Sequence, residues 1–537
     1  IDRCVLVHPS VYGGDHASFE ALLAANRDWM RGVAVVRAEH SQDDVARWHA
    51  LGARGTRVNA LYAGGAALDD LPGIIAKVKP FNWHLQLLID GSDRGDTFAL
   101  ADVPFRFGWE AQEQWGEPSA PSQQRLKSEA FFREQPLQSP TWVVMGQLQS
   151  DRLAADPTKG VDPAGTPLLP QPFEQACEAF GLERTLTYGR LPGGLVMLNW
   201  PLQGNDWHRG LDRAFSGAPS QEAELYGEMQ AHSLRFAEVL QEASGGWLHL
   251  GDAFPTQAGS PAPWLAAMPY WREGRRLIGR QTVIEQDLFP QASGTSVAAL
   301  PLNGAGELQS IAVGNYANDH HYPGPDWPLA PKSCRWGGRW TGTPFGIPYG
   351  ALVSEAIDNL LAADKAFSTS HMANGATRLQ PLILNVGQAA GAAAALAVRV
   401  GVPPAHLPVR ELQNALIADP LAPSAVAPLW DTPWHHPQWR ERQEAVLANP
   451  HGLAADGSAA QDSIPSSRHE QLWSGTIQAV AAGGFSFTTN SGAMWPVITL
   501  EPSMHHWLSQ LDGSRSVELI GNVNPWGPWL RVSRLAG

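Results

Sequence analysis

Along the first 90 residues, short apolar runs rich in Val, Leu and Ile alternate with stretches whose apolar side chains recur at helical spacing. The runs cover residues 4–8, 32–36, 55–60 and 84–90. Between them lie 18–26, 41–51 and 69–78, each with a Ser or Asp placed to cap a helix. The order is βαβαβαβ, which predicts a parallel sheet. Polar side chains stand at the carboxyl ends of the runs: His8 and Ser10, then Arg57 and Asn59, then Asp90. In α/β folds that edge is where ligands bind.

Beyond Asp90 the pattern becomes mixed and rich in Pro, Gly and Trp. Strands are predicted at 141–148, 185–190 and 194–199, with a turn at 191–194 joining the last two. A helix over 222–243 follows Ser220 and carries Leu225, Met229, Phe236 and Leu240 on one face. After Gln413 a Pro-rich strap runs through 421–450, with Trp430, Trp434 and Trp439 expected to tie it down, and a Ser/Ala/Gly-rich linker covers 457–468. Strands at 474–481, 484–489, 493–500, 516–523 and 529–535, a turn at 490–492 and a helix at 503–511 predict a small SH3- or OB-like barrel. The chain thus divides into 1–90, a central region 91–412, a strap and linker 413–468, and a barrel 469–537. Within the central region, about 130–345 reads as a substrate domain.

Chemistry concentrates between 264 and 400. Residues 359–363 read as a buried strand ending at Asp364, followed by a loop with Ser368, Ser370, His371 and Gly375. Pro381 then opens a helix containing Gly387 and Gly391, and Arg378 precedes it. Glycines four apart predict a close approach to another backbone, and the helix N-terminus suits an anion or an electron-rich ring. The run 382–402 has the length of a membrane span. Its Ala and Gly content, with Asn385, Gln388, Arg399 and the pair Pro403 and Pro404, predicts instead a packed helix of a soluble α/β domain.

Composition narrows the classes. With 44% hydrophobic residues and 22 Trp in 537 residues, the chain can bury a core, which excludes disorder over most of its length. Cys4, Cys177 and Cys334 are too few for a disulfide scaffold and read as thiols of a reducing, cytoplasmic protein. A net charge of −14 excludes a nucleic-acid partner. The cluster Arg272, Arg275, Arg276 and Arg280 reads either as a small-anion site or as a solvated face paired with Glu273, Glu285 and Asp287. Paired histidines occur at 320 and 321, 435 and 436, and 505 and 506, without the Cys or spaced carboxylates of a metal site, so no metal is expected. An opening Ile1 in place of Met predicts that the natural chain begins further upstream.

The stretches NLLAADKAFSTSH at 359–371 and GQAAG at 387–391, in order after MPYWREGRRLIGRQ and SIAVGNYANDHHYPG, resemble the FAD-dependent oxidoreductases related to fumarate reductase flavoproteins. The resemblance runs from about Asp93 to past Val400. It implies an α/β flavoprotein fold with FAD as cofactor, held by Asp364, Ser370, Gly375, Pro381, Leu382, Asn385 and Gly387. It also implies hydride transfer between a small-molecule substrate and the flavin, with His320, His321 and His371 as acid/base candidates and Tyr349 behind them. Arg272, Arg276 and Arg378 would hold a substrate carboxylate. The G-x-G-x-x-G of such proteins is absent, which predicts a flavin site without its nucleotide entry. In its place, VLVHPSVYGGD at 5–15, RGVAVV at 31–36 and GARGTRVNALY at 52–62 resemble amidohydrolases acting on dicarboxylate lactones. That implies part of a (β/α)8 barrel, with Arg57 and Asn59 at its substrate edge. Two alternatives to a flavoenzyme follow: a metal-dependent hydrolase, and a non-catalytic fusion of two truncated parents joined within 85–96.

Overall fold

The computed structural model describes residues 4–8, 14–56, 70–81, 83–85, 88–149, 168–178, 181–201, 203–255, 262–291, 297–323, 329–335, 343–429, 432–454, 457–458, 470–480, 484–499, 501–523 and 530–536. Ser10, Arg57, Asn59, Trp430 and most of the 457–468 linker lie outside them.

Strands β1 (Cys4–Val7), β2 (Met30–Ala34), β3 (Ala53–Thr56) and β4 (His84–Leu85) form a four-stranded parallel sheet in sequential order. Helices α1 (Ala17–Ala25), α2 (Gln42–Leu51) and α3 (Leu71–Val78) form the crossovers. The α2 start is written in the sequence: the Ser41 hydroxyl accepts from the Asp44 N–H, and the Asp44 carboxylate accepts from the Ser41 N–H. Phe19, Leu23, Val45, Trp48, Ile74 and Val78 make a core of their own. Gly32 lets α1 press onto β2, since a Cβ there would lie 2.6 Å from both Leu23 and Phe19. The sheet is open. Among the described residues it has four strands in sequential parallel order, short of the eight that a closed (β/α)8 barrel takes.

The apolar run 84–90, expected as one strand, is two strands in two different sheets. Strand β5 (Leu88–Asp90) pairs in parallel with Leu360–Ala362, Asp90 opposite Ala362. Asp90 therefore belongs to the central region and not to the edge that carries His8. The Asp90 carboxylate then accepts from the Ser92 N–H at 2.8 Å, the Ser92 hydroxyl at 2.7 Å and the Thr97 N–H at 3.0 Å. It thereby caps α4 (Asp96–Leu100).

Strand β6 (Val144–Leu148) lies between β7 (Leu195–Leu198) and β8 (Leu248–Leu250), all antiparallel. Helix α5 (Gly181–Thr187) stands where a strand was expected at 185–190. The β-branched Thr185 is at ease there because its hydroxyl donates to the Gly181 carbonyl one turn back, at 2.9 Å. The 25-residue α6 (Pro219–Ala243) turns Leu225, Met229, Phe236 and Leu240 into the core of this layer, as its periodicity predicts. Cys177 is a buried free thiol in the same core.

A third core takes residues from β9 (Ser310–Gly314), β12 (Phe345–Pro348) and β13 (Leu360–Ala362), whereas β10 (Asn318–His320) and β11 (Ser333–Arg335) contribute none to it among the described residues. Strand β9 pairs with β12 antiparallel, and β10 with β11 parallel. The expected loop at 368–375 is in part helix α7 (His371–Thr377). Helix α8 (Gln380–Val400) buries Leu382, Val386, Ala389, Ala393 and Leu396. Its outer face stays open, with Leu384 75% and Val398 67% exposed. A Cβ at Gly387 would sit 3.4 Å from the Ala363 carbonyl, but one at Gly391 would meet nothing within 4 Å. Of the two glycines expected to bring backbones together, only Gly387 does so. Among the described residues α8 is the one helix long and apolar enough to cross a membrane.

In the strap Trp439 is buried at the start of α9 (Trp439–Ala448), whereas Trp434 is 70% exposed and ties nothing down. Strands β14 (Gln471–Val480), β15 (Gly484–Thr489), β16 (Met494–Ile498), β17 (Ser514–Val523) and β18 (Leu530–Leu535) close the expected barrel in the order β14-β15-β16-β18-β17. Helix α10 (Pro502–Ser509) adds Met504 and Leu508 to its core.

Candidate functional site

Helix α7 begins where Ser370 caps it, its hydroxyl accepting from the Ala373 N–H at 2.9 Å. The helix packs on β10 through Gly375, where a Cβ would come 2.6 Å from Asn318 Oδ1 and 2.8 Å from the Asp319 carbonyl. This close approach sets the α7 side chains His371, Asn374 and Thr377 in one buried layer with Asn318 and His320 of β10; none is more than 1% exposed. The His320 and His371 rings lie 6.1 Å apart and 21° from parallel.

Glu273 orients His371, with Oε1 2.9 Å from Nδ1. A carboxylate only accepts, so Nδ1 carries the proton and Nε2 is presented to the interface. The backbone N–H of His371 donates to Glu110 at 2.8 Å, and the Trp109 ring lies 3.7 Å from the imidazole. Arg276 holds both acids: Nη1 is 2.9 Å from Glu110, and Nε lies 3.1 Å from Glu273 without hydrogen-bond geometry.

A second buried network adjoins the first. His321 lies between two carboxylates, Nδ1 2.8 Å from Asp206 and Nε2 2.9 Å from Asp319. Arg272 pairs with Asp206 at 2.9 Å and Arg378 with Asp319 at 3.0 Å. Burial opposes ionisation of Asp206, but Arg272 and His321 beside it pull its pKa down to about 2. Burial, with the cationic neighbours Arg272 and His321 and the imidazole of His232, also lowers His208, to about 4, although Asp206 pulls it up. The basic cluster is therefore compensated from within. Arg275 pairs with Asp96, and Arg280, on the surface, with Asp358.

Six buried polar atoms on α7 and β10 have no hydrogen-bond partner: Asn318 Oδ1, His320 Nδ1 and Nε2, His371 Nε2, Asn374 Nδ2 and Thr377 Oγ1. Protein interiors leave few such atoms, and a cluster of them marks a place where water or a ligand completes the bonding. Burial holds the His320 imidazole well below the usual range for histidine, with His371 adding to the effect. His320 is thus neutral, one nitrogen a donor and the other an acceptor.

The residues expected to hold a cofactor are mostly committed to the protein. Ser370 donates to Glu117, Gly375 is filled by β10, Asn385 donates to Ser424 at 2.6 Å, and Leu382 is in the core. The Asp364 carboxylate faces Lys365, whose ammonium also meets Asp93. Pro381 is exposed at the start of α8. Tyr349 is buried with its hydroxyl donating to the Pro404 carbonyl at 2.9 Å, and burial raises its pKa. His435 and His436 show no link to the interface, and His505 and His506 sit on α10. Among the described residues no group of three or more His, Cys, Asp or Glu side chains is placed to hold a metal ion. Sequence reasoning singled out His320, His321 and His371 but missed Asp206, Glu110, Glu117 and Asn374. Glu273 stood in view inside the REGRR stretch, read only as a possible partner of a solvated face.

No curated protein matches the chain. The apo crystal structure of Agrobacterium tumefaciens ATU3138 aligns at 21% identity with 18% of this chain and 35% of its own length. The chain thus spans about a third of that structure, with a TM-score of 0.16. The family model for FAD dependent oxidoreductases matches residues 63–416. That is more than half of the 537 residues and includes both α7 and β10, so the chain belongs to the FAD dependent oxidoreductase family.

Proposed function

We propose that this chain oxidises or reduces a small molecule at the α7–β10 interface, with His371 moving the proton and Glu273 orienting it. The observation that carries the reading is the cluster of partnerless polar atoms beside an imidazole already held by a carboxylate. Such a pair positions a proton acceptor at Nε2, the arrangement general acid–base chemistry needs. His320, neutral, fits a donor or acceptor to the same substrate group.

FAD, the cofactor of the family, supplies two-electron chemistry when bound. The described residues meet it unevenly. The start of α8 is open around Pro381 and has no side-chain cap, which suits a ring edge or an anion. The strand–loop–helix after β5 does not suit a diphosphate. Asp90 already takes the Ser92 and Thr97 N–H groups, and the nearby cations Arg94, Arg275 and Lys365 are already paired with Asp96 and Asp93. The nucleotide half of FAD therefore finds no cradle among the described residues, and we expect the chain to hold FAD weakly.

Dialysis of the full chain against FAD, followed by the absorption spectrum of the retained flavin, tests this reading. Bound flavin supports it. His371→Asn is then expected to keep the flavin while its substrate-dependent bleaching slows by about a hundredfold or more. A chain that cannot be reconstituted with FAD overturns the reading and leaves a non-catalytic protein.

A further inference from the structure

We infer that the α7–β10 interface takes a neutral hydroxyl or carbonyl group of its ligand and not a carboxylate, an inference that rests on this interface being the reaction site. Three buried guanidiniums surround the region, and each is paired: Arg272 with Asp206, Arg276 with Glu110 and Glu273, Arg378 with Asp319. Three guanidiniums thus face four carboxylates. His321, held between Asp206 and Asp319, at most evens that balance. An incoming carboxylate would leave water to sit near Glu273 and Asp319 with no surplus positive charge to meet it, which is strongly unfavourable. Arg272, Arg276 and Arg378 each keep an Nε–H without a hydrogen-bond partner, which adds donors but no unbalanced charge.

What the interface leaves unmet is a mixed set of neutral donors and acceptors. His371 Nε2 and Asn318 Oδ1 accept, Asn374 Nδ2 donates, and the Thr377 hydroxyl does either. His320 is kept neutral by burial and so offers one of each. A hydroxyl donates once and accepts twice, and a carbonyl accepts twice. Either can be satisfied here, whereas a carboxylate cannot use the acceptors and is repelled by the paired acids.

Two probes sharing one ring test this: trans-1,2-cyclohexanediol and cyclohexanecarboxylate, titrated into the full chain labelled with [15N]histidine. The imidazole signals of His320 and His371 are assigned with H320Q and H371Q. The diol is expected to shift both signals, with half-saturation at a concentration at least about tenfold lower than the carboxylate requires. Asn374→Ala is expected to raise the diol's half-saturation concentration about fivefold. The other imidazole signals of that variant, unchanged, show that it has folded. A carboxylate that binds as well as the diol overturns the inference, and so does a failure of the diol to move the two signals. Flavin retained by the same sample is scored separately. Diol binding without FAD sinks the oxidoreductase reading alone, and FAD retention with both probes silent sinks this inference alone.

Discussion

Burial drives the Glu117 carboxyl up to about 7, against the pull of its bonds from the Ser370 hydroxyl and the Glu285 N–H, while Glu285 and Glu110 add like charge. Both bonds go to Oε1, and Oε2 has no partner. Because the folded state holds this proton more tightly than the unfolded chain does, its contribution to stability is complete below about pH 4.5 and is lost as pH rises through about 7. The difference amounts to about 3 kcal/mol. Glu117→Gln keeps an acceptor for Ser370 and removes the charge. Urea denaturation is expected to find the variant more stable by about 3 kcal/mol at pH 8 and little changed at pH 4.5. Equal effects at the two pH values would refute the assignment. Asp319 presents the opposite case, an ionised group on which Arg378, His321 and Tyr316 all converge. Asp319→Asn leaves the buried Arg378 guanidinium without its ion-pair partner and is expected to cost about 3–5 kcal/mol, read from the same denaturation curves.

At the scale of elements, α7 decides whether the interface exists. Gly375→Ala would place a methyl group 2.6 Å from Asn318 Oδ1 and against the β10 backbone, neither of which is the free end of a long side chain. The helix must move off the strand, at a cost of about 1–3 kcal/mol. The expected signature is a drop in the urea midpoint together with altered His320 and His371 imidazole signals. A stable variant with unchanged signals would show that the close approach is not required. The sequence revealed α8 through Pro381 and its Ala-rich period, α6 through its apolar face, and the barrel through its turns. It did not reveal α7, because every residue from His371 to Thr377 is buried and no amphipathic period survives. Ser370 was the one available signal, an N-cap residue that a loop also tolerates. That the run 84–90 serves two sheets was hidden for a related reason: LQLLID reads as one apolar run, and the pairing partners of 84–85 and of 88–90 lie in different parts of the chain. The histidines of the site were legible as titratable groups. Their carboxylate partners come from segments distant in sequence, Asp206 and Glu110 among them, so only the fold brings them together.

On the scale of the whole molecule, the first sheet ends with β4, and β5 belongs to another sheet, which marks a boundary between them. Among the described residues strands β1 to β4 pair only with one another, and their core shares no residue with the cores that contain β13 or α6. Strand β5, by contrast, lies on β13, and its last residue, Asp90, binds the loop that starts α4. Deletions on either side of this boundary therefore have unlike consequences. A chain starting at residue 88 keeps the β5–β13 pair and every Asp90 contact, so it is expected to retain the near-UV dichroism and urea midpoint of the central region. A chain starting at residue 92 leaves one edge of β13 unpaired and strips the caps from the 91–97 loop. Three lost hydrogen bonds at about 1 kcal/mol each, with the strand pairing in addition, predict a fall of at least about 3 kcal/mol in the stability of that region. If both deletions destabilise the central region equally, the first sheet is part of its folding unit. If neither does, β5 contributes nothing to holding β13, which then rests on its bonds to residues 352–354 and on the core around it.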